Sequence, residues 1–75
     1  MNIEKEINET QTILKVIGRI DTTNANEFDS TVQNEIKEGT NLVLDLKGLE
    51  YISSAGLRVL LSTHKALTKV NGKLI

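Results

Sequence analysis

The sequence predicts a small α/β domain in which helices pack on a mixed β-sheet. Segments rich in β-branched residues alternate with amphipathic segments, and turn-forming residues separate them. The chain has 75 residues, which is the size of one domain, and a chain this short buries only about 60% of the surface that its unfolded form exposes. We therefore interpret residues 1–75 as a single domain with a small core.

The first two strands are predicted to form an antiparallel pair. Residues 11–20 are apolar and rich in β-branched side chains, which favours a strand. Residues 2–7 are expected to pair with it, with a turn near residues 8–10.

Two further strands are predicted later in the chain. Residues 41–46 are nearly continuous in apolar side chains, as expected of a buried strand, and a short loop should follow them. Asn71-Gly72 marks a turn, and a strand is expected to begin at residues 73–75.

Two amphipathic segments predict helices near residues 24–38 and 54–70. N-cap residue types precede the first segment, and Gly39 is expected to end it in the left-handed conformation. Apolar residues with three- and four-residue spacings should face the core; they are Ala25, Phe28, Val32 and Ile36 in the first helix, and Leu57, Leu60, Leu61 and Leu67 in the second.

The composition excludes several classes of function. Nine basic and ten acidic residues give a net charge of −1, which provides no electrostatic footprint for nucleic acid. Cysteine is absent and His64 is the single histidine, so we expect no disulfide, metal site or cofactor. The N-terminus lacks the apolar core of a signal peptide, and no apolar run is long enough to span a membrane. We expect a cytoplasmic protein.

The most informative motif, Ile52-Ser53-Ser54-Ala55-Gly56, places two serines at the predicted start of the second helix. A helix N-terminus leaves backbone N–H groups unpaired and carries a partial positive charge. A hydroxyl at this position can cap the helix or carry a phosphate, and the pattern alone favours capping.

An enzyme that uses Ser54 as its nucleophile is disfavoured. The nucleophile elbow requires glycine where Ile52 stands. His64 lies ten residues further along the predicted helix, which is a poor position for a general base. No glycine-rich phosphate loop is present. We predict a protein without enzymatic activity.

Two segments of the chain resemble the characteristic stretches of STAS domains, which include the bacterial anti-sigma factor antagonists. They are Gly18-Arg19-Ile20-Asp21 and residues 45–57, and the resemblance covers the chain in order. It implies the STAS fold, which continues beyond residue 75. We therefore expect a chain that lacks the C-terminal part of the fold, exposes part of the leucine stripe of the second helix and is prone to self-association.

The same resemblance implies a phosphorylation switch. In that family an anti-sigma factor that is also a serine kinase binds the unphosphorylated antagonist and releases a sigma factor. The kinase phosphorylates a serine that falls on Ser54, which ends binding, and a metal-dependent serine phosphatase restores the antagonist. Ser53, which stands where many switching members have an acidic residue, is the alternative site. The alternative function is a STAS scaffold or interaction module that is not phosphorylated, within a larger bacterial signalling assembly.

The predicted partner surface comprises Asp21, Ser53, Ser54, Ala55, Gly56 and Arg58. Arg58 is included because it lies one turn beyond Ser54; the alternative is that it belongs to a solubilising face with Lys65 and Lys69. Asp21 matches an acidic residue involved in kinase recognition; alternatively, it caps the first helix. Asp45 is expected to accept hydrogen bonds from loop amides. His64 is expected to be a solvated surface residue, as are the lysines of the second helix.

Overall fold

The structure is a computed structural model that describes the backbone of residues 1–74 and the side chains of residues 1–72. The elements are, in order, β1 (Asn2–Ile7), β2 (Thr12–Ile20), α1 (Ala25–Gln33), β3 (Asn41–Asp45), β4 (Leu49–Ile52), α2 (Ser54–Lys69) and β5 (Lys73–Leu74). The predicted α/β class with a mixed sheet is confirmed. Of the strand predicted at residues 73–75, Ile75 lies outside the described residues.

β2 is the central strand of the sheet. β1 pairs antiparallel with it, and an Asn8 turn joins the two, in which the Asn8 side chain accepts a hydrogen bond from Gln11 N at 2.8 Å. On the other side, β3 lies parallel to the first half of β2 and β4 lies parallel to its second half. β5 extends the sheet by pairing in parallel with β3. The carboxyl ends of β2 and β4 therefore meet at the same edge of the sheet.

β4 replaces part of the loop that the sequence predicts after β3. The strand is four residues long, and its pairing with β2 begins at an irregularity between Gly18 and Arg19. Gly18 has a φ of 99°, which favours glycine, and its N–H donates to the carbonyl of Gly48 at 2.9 Å. The irregularity is a bulge in β4, where Glu50 is the extra residue between Leu49 and Tyr51, the partners of Gly18 and Arg19.

α1 is shorter than the predicted helix at residues 24–38. It ends at Gln33, and the N–H groups of Glu35 and Ile36 donate to carbonyls three residues earlier, at 3.0 and 3.1 Å. Such bonds tighten the chain into a 3₁₀-type turn. Gly39 has the predicted positive φ, 73°, but it lies in the turn before β3 and does not end the helix.

α2 buries a face that overlaps only partly with the predicted one. Leu67 is buried as predicted, whereas Leu57 and Leu61 are 49% and 63% exposed, so the prediction that these two face the core is wrong and the expected exposure of part of the leucine stripe is seen. The buried residues are Gly56, Val59, Thr63 and Leu67. A Cβ on Gly56 would lie 2.7 Å from Ile52 Cγ1 and 2.8 Å from Ile20 Cγ2. This close approach to the sheet fixes the rotation of α2 about its axis, and Leu57, about 100° further round the helix, turns outward.

The core lies between one face of the sheet and the two helices. Leu14, Val16 and Ile20 alternate along β2 and are each buried to within 1% of full exclusion from solvent, whereas Ile17, which points to the opposite face, is 40% exposed. The helices contribute the fully buried residues Phe28, Val32 and Leu67. The predicted core face of α1 is therefore confirmed. No helix within residues 1–74 is both long enough and apolar enough to span a bilayer.

α2 ends in a Schellman-type turn at Asn71-Gly72, as predicted. Asn71 has a φ of 57°, and Gly72 N–H donates to the carbonyl of Leu67 at 2.8 Å. A Cβ on Gly72 would collide with the carbonyl oxygen of Thr40. Glycine is therefore required for the close contact between this turn and the start of β3.

Candidate functional site

The candidate site lies at the sheet edge where β2 and β4 end. Ile20 and Ile52 are partners in the parallel ladder, and the N–H of Ser53 donates to the carbonyl of Ile20 at 2.8 Å. Each strand then leads into the start of a helix, β2 through Asp21 to α1 and β4 through Ser53 to α2. The predicted site residues Asp21, Ser53 and Ser54 are therefore brought together, at the edge where parallel sheets usually bind their ligands.

The two serines have different structural roles. Ser53 is the N-cap of α2, with extended backbone angles (φ −80°, ψ 172°), and its hydroxyl oxygen accepts a hydrogen bond from Gly56 N–H at 3.3 Å. Ser54 is the first helical residue and its side chain is exposed. The Ser54 hydroxyl forms no hydrogen bond with residues 1–72, whose side chains the structure describes. Ser53 thus performs the capping that the sequence left open between the two, and the Ser54 hydroxyl is accessible.

Asp21 is not the residue immediately before α1, but it caps the turn that leads into the helix, because its carbonyl accepts a hydrogen bond from Ala25 N–H at 3.0 Å. The N-cap is Asn24, whose side chain instead accepts a hydrogen bond from Asp21 N–H and donates one to the carbonyl of Arg19, both at 2.9 Å. The Asp21 carboxylate accepts hydrogen bonds from the hydroxyl and the backbone N–H of Thr23. These bonds, the hydroxyl bond foremost, lower the pKa of Asp21 below its ordinary value. Asp21 is therefore an ionised carboxylate held in a fixed turn beside the serine loop.

The remaining predicted site residues differ in accessibility. Ala55 is half-buried, Gly56 is buried and Arg58 is exposed. Ala55 and Arg58 line a shallow groove of about 240 Å³ between α1 and α2, whose opposite wall includes Ala25 and Asp29. Gly56 faces inward, so its contribution to the site is the close packing of α2 on the sheet.

Two further contacts lie around the loop. Asp45 accepts a hydrogen bond from Lys47 N–H at 3.1 Å, which confirms its predicted role of fixing loop amides. The Arg19 guanidinium lies 4.5 Å from the centroid of the Tyr51 ring, a cation–π contact. No local sequence pattern indicates this pair, because the two residues become neighbours only through the register of β4 with β2.

The outer face of α2 carries the predicted solvated residues. His64, Lys65 and Lys69 are all exposed. The described residues contain no group of three or more His, Cys, Asp or Glu side chains that could hold a metal ion.

Comparison with known proteins identifies relatives by sequence. The STAS domain family matches residues 2–75. The Bordetella bronchiseptica protein BtrV, which carries the name of an anti-sigma factor antagonist, is 41% identical over 59 residues. That alignment covers 77% of this chain and 51% of BtrV, so the chain spans about half the length of this relative.

Solved structures show the same fold. An anti-sigma factor antagonist from Mycobacterium paratuberculosis superposes with a TM-score of 0.85 at 25% identity, over 97% of this chain and 64% of that one. The anti-sigma factor antagonist SpoIIAA matches in its unphosphorylated form with a TM-score of 0.80 at 17% identity, over 97% of this chain and 69% of that one. The phosphorylated form of the Bacillus protein gives a TM-score of 0.79 at 17% identity, over 99% and 69%. The chain belongs to the STAS domain family, and its relatives by sequence and by fold include anti-sigma factor antagonists.

Proposed function

We propose that this protein is an anti-sigma factor antagonist whose binding is controlled by phosphorylation of Ser54. When Ser54 is unphosphorylated, the protein binds an anti-sigma factor serine kinase and a sigma factor is released. The kinase transfers the γ-phosphate of ATP to the Ser54 hydroxyl oxygen, which ends the binding, and a metal-dependent serine phosphatase removes the phosphate. The protein itself is a binding module without catalytic residues, and we place it in the cytoplasm with these partners.

The observation that carries the proposal is the different engagement of the two serines. The Ser53 hydroxyl already accepts the capping bond from Gly56 N–H, so a phosphate on Ser53 would disturb the start of α2. The Ser54 side chain is exposed at the first helical position, where a phosphate can be added without breaking an internal contact. This difference favours Ser54 over Ser53 as the modified residue.

The position of Ser54 also supports a switch that leaves the fold intact. A phosphate adds about −1.5 to −2 charges at neutral pH, and a helix N-terminus stabilises such a charge by about 0.3–1 kcal/mol. A partner that packs on a neutral hydroxyl would have to accommodate and desolvate this bulky charged group, which is costly.

Asp21 is proposed to share this binding surface with Ser54. Its carboxylate is ionised and its turn is fixed by the Thr23 and Asn24 hydrogen bonds. A rigid carboxylate beside a small hydroxyl can accept charge-assisted hydrogen bonds from a partner without a further loss of side-chain entropy. Phosphorylation would place a second negative group next to it and reverse the local complementarity.

Phosphate incorporation tests the proposal directly. The wild-type chain, Ser54→Ala and Ser53→Ala are each incubated with the purified cognate kinase and ATP and analysed by intact mass. We expect one phosphate on the wild type and on Ser53→Ala, and none on Ser54→Ala. Loss of the phosphate in Ser53→Ala alone would move the switch to Ser53. A wild-type chain that binds the kinase but takes no phosphate would favour the alternative of a STAS scaffold.

Binding to the same kinase tests the consequence of the modification. Ser54→Ala should bind as the wild type does, because a small neutral group remains at the contact. Ser54→Asp should bind more weakly, although less weakly than the phosphorylated chain, since it adds one charge and fewer acceptor oxygens. Equal affinities for Ser54→Asp and the wild type would contradict the proposed mechanism.

A further inference from the structure

Two exposed side chains lie one turn apart at the start of α2. Ser54 is the first residue of the helix and Arg58 follows four residues later. Residues at positions i and i+4 of a helix are neighbours on its surface, with Cβ atoms about 5–6 Å apart. A negative group placed N-terminal to a basic one at this spacing is the more favourable order. A phosphate on Ser54 would therefore lie within reach of the Arg58 guanidinium.

Arg58 has no acidic partner on its own helix. The segment Ser54–Lys69 contains neither Asp nor Glu. Among the side chains of residues 1–72 the two ion pairs are Lys5 with Glu35 and Lys15 with Glu6, so Arg58 is unpaired in this part of the chain. Asp29 lines the same groove as Arg58 but forms no ion pair with Arg58. The charge that would complement Arg58 is absent from α2 until Ser54 is modified.

We propose that Arg58 pairs with the phosphate of phosphorylated Ser54 and holds it against the first turns of α2. The biological use of this pair rests on the proposed function, whereas the pair itself requires only the phosphate. A guanidinium group matches phosphate oxygens through two parallel N–H···O bonds, which a lysine cannot reproduce. Pairing turns Arg58 toward Ser54 and removes a cation from the exposed surface beside Ala55. Phosphorylation would then alter two groups of the partner surface instead of one.

The pair can be tested without a kinase. The chain is produced with phosphoserine incorporated at position 54, and ³¹P NMR follows the titration of the phosphate between its singly and doubly charged forms. Because Arg58 favours the doubly charged form, Arg58→Gln should raise the midpoint pH of this titration by about 0.2–0.4, as expected for an i, i+4 helix ion pair. Asp21 in the neighbouring turn and Asp29 across the groove are present in every variant, so their influence cancels in the comparison.

Lys65→Gln is the matched control. Lys65 is exposed and lies on nearly the same side of α2 as Ser54. It is three turns beyond Ser54, or about 16 Å away at 1.5 Å per residue. Its removal changes the net charge of the chain equally but should leave the midpoint unchanged. Arg58→Lys should retain part of the wild-type effect, and high salt should reduce it.

Two results would overturn the pair. One is an equal midpoint for the wild type and Arg58→Gln, and the other is a rise of the same size in Lys65→Gln, which would indicate an effect of net charge alone. Failure of the proposed function has a different readout. If the kinase adds no phosphate in the intact-mass experiment while Arg58→Gln still raises the midpoint, the pair stands and the switch does not.

Discussion

The close packing of Gly56 on the sheet makes it the most informative residue to change. In Gly56→Ala the new Cβ would lie 2.7 Å from Ile52 Cγ1 and 2.8 Å from Ile20 Cγ2. Carbon atoms in good packing are separated by about 3.5–4.0 Å. The methyl group is therefore too close to two side chains at once, and Ile20 is fully buried, so it has no space into which to move.

Two opposing free-energy terms decide the outcome. Alanine is favoured over glycine in a helix by about 1 kcal/mol, which would stabilise the variant. Overpacking of a core costs about 1–3 kcal/mol, and the upper part of that range applies because both neighbours are β-branched and stiff about χ1. We expect Gly56→Ala to lower the free energy of unfolding by about 1–2 kcal/mol. The first turn of α2 should shift outward and carry Ser54 away from Asp21.

Urea denaturation measures the stability term, and kinase affinity measures the displacement of the site. Ile52→Ala provides the rescue, since it removes the Cγ1 atom that the new methyl group meets. The double variant Gly56→Ala/Ile52→Ala should lose less stability than the sum of the two single losses. A Gly56→Ala variant that is about 1 kcal/mol more stable than the wild type would refute the argument, because helix propensity would then outweigh a contact that the structure makes too close.

Three other predictions concern the residues around the site and the end of α2. Ser53→Ala should lower the free energy of unfolding, measured in urea, by about 0.5–1 kcal/mol. This is the lower half of the range for a lost N-cap, because the capping bond is long at 3.3 Å. Ser54→Ala should change the free energy of unfolding by less than about 0.5 kcal/mol. Thr23→Val should raise the pKa of Asp21 in an NMR titration, because the hydrogen bond from the Thr23 hydroxyl is the main cause of its lowered pKa. The stabilisation from Asp21 is present above its ordinary pKa of 3.8 and is lost as the pH falls through the lowered value. The difference in stability between the wild type and the variant should therefore shrink in acid. Asn71→Ala should destabilise the chain by about 1–2 kcal/mol in thermal unfolding, because alanine is strained at a left-handed φ, while Asn71→Gly should be nearly neutral.

Secondary structure is predicted most accurately where a single local sequence pattern determines it. β2 and the start of α2 are predicted to within one residue, because a β-branched run and a capped amphipathic segment each specify one conformation. The turn at Asn71-Gly72 is confirmed for the same reason. The prediction of the buried face of α2 is wrong at Leu57, because leucine spacing alone places this residue in the core. In the structure the contact of Gly56 with the sheet sets the rotation of the helix.

The difference between Ser53 and Ser54 could not be obtained from local pattern. Both are good N-cap residues, and the assignment depends on the residue at which the chain leaves the sheet. The bond from Ser53 N–H to the Ile20 carbonyl extends the β4 ladder up to Ser53. This keeps Ser53 in an extended conformation and makes Ser54 the first helical residue, so the identity of the accessible hydroxyl is set by a contact between residues far apart in sequence.

β4, the strand that the sequence does not reveal, is therefore the element that builds the site. Asp21 and Ser54 are separated by more than thirty residues and become neighbours only through the parallel pairing of β2 with β4. That pairing starts at Gly18, whose left-handed backbone no β-branched residue would tolerate. Closing the loop between β2 and β4 costs entropy before the pairing contributes stability. The Asp21–Ser54 surface should therefore form together with the folded sheet and not as a preformed local motif. Changes that weaken the β2–β4 pair should consequently reduce partner binding even when they leave every exposed residue of that surface intact.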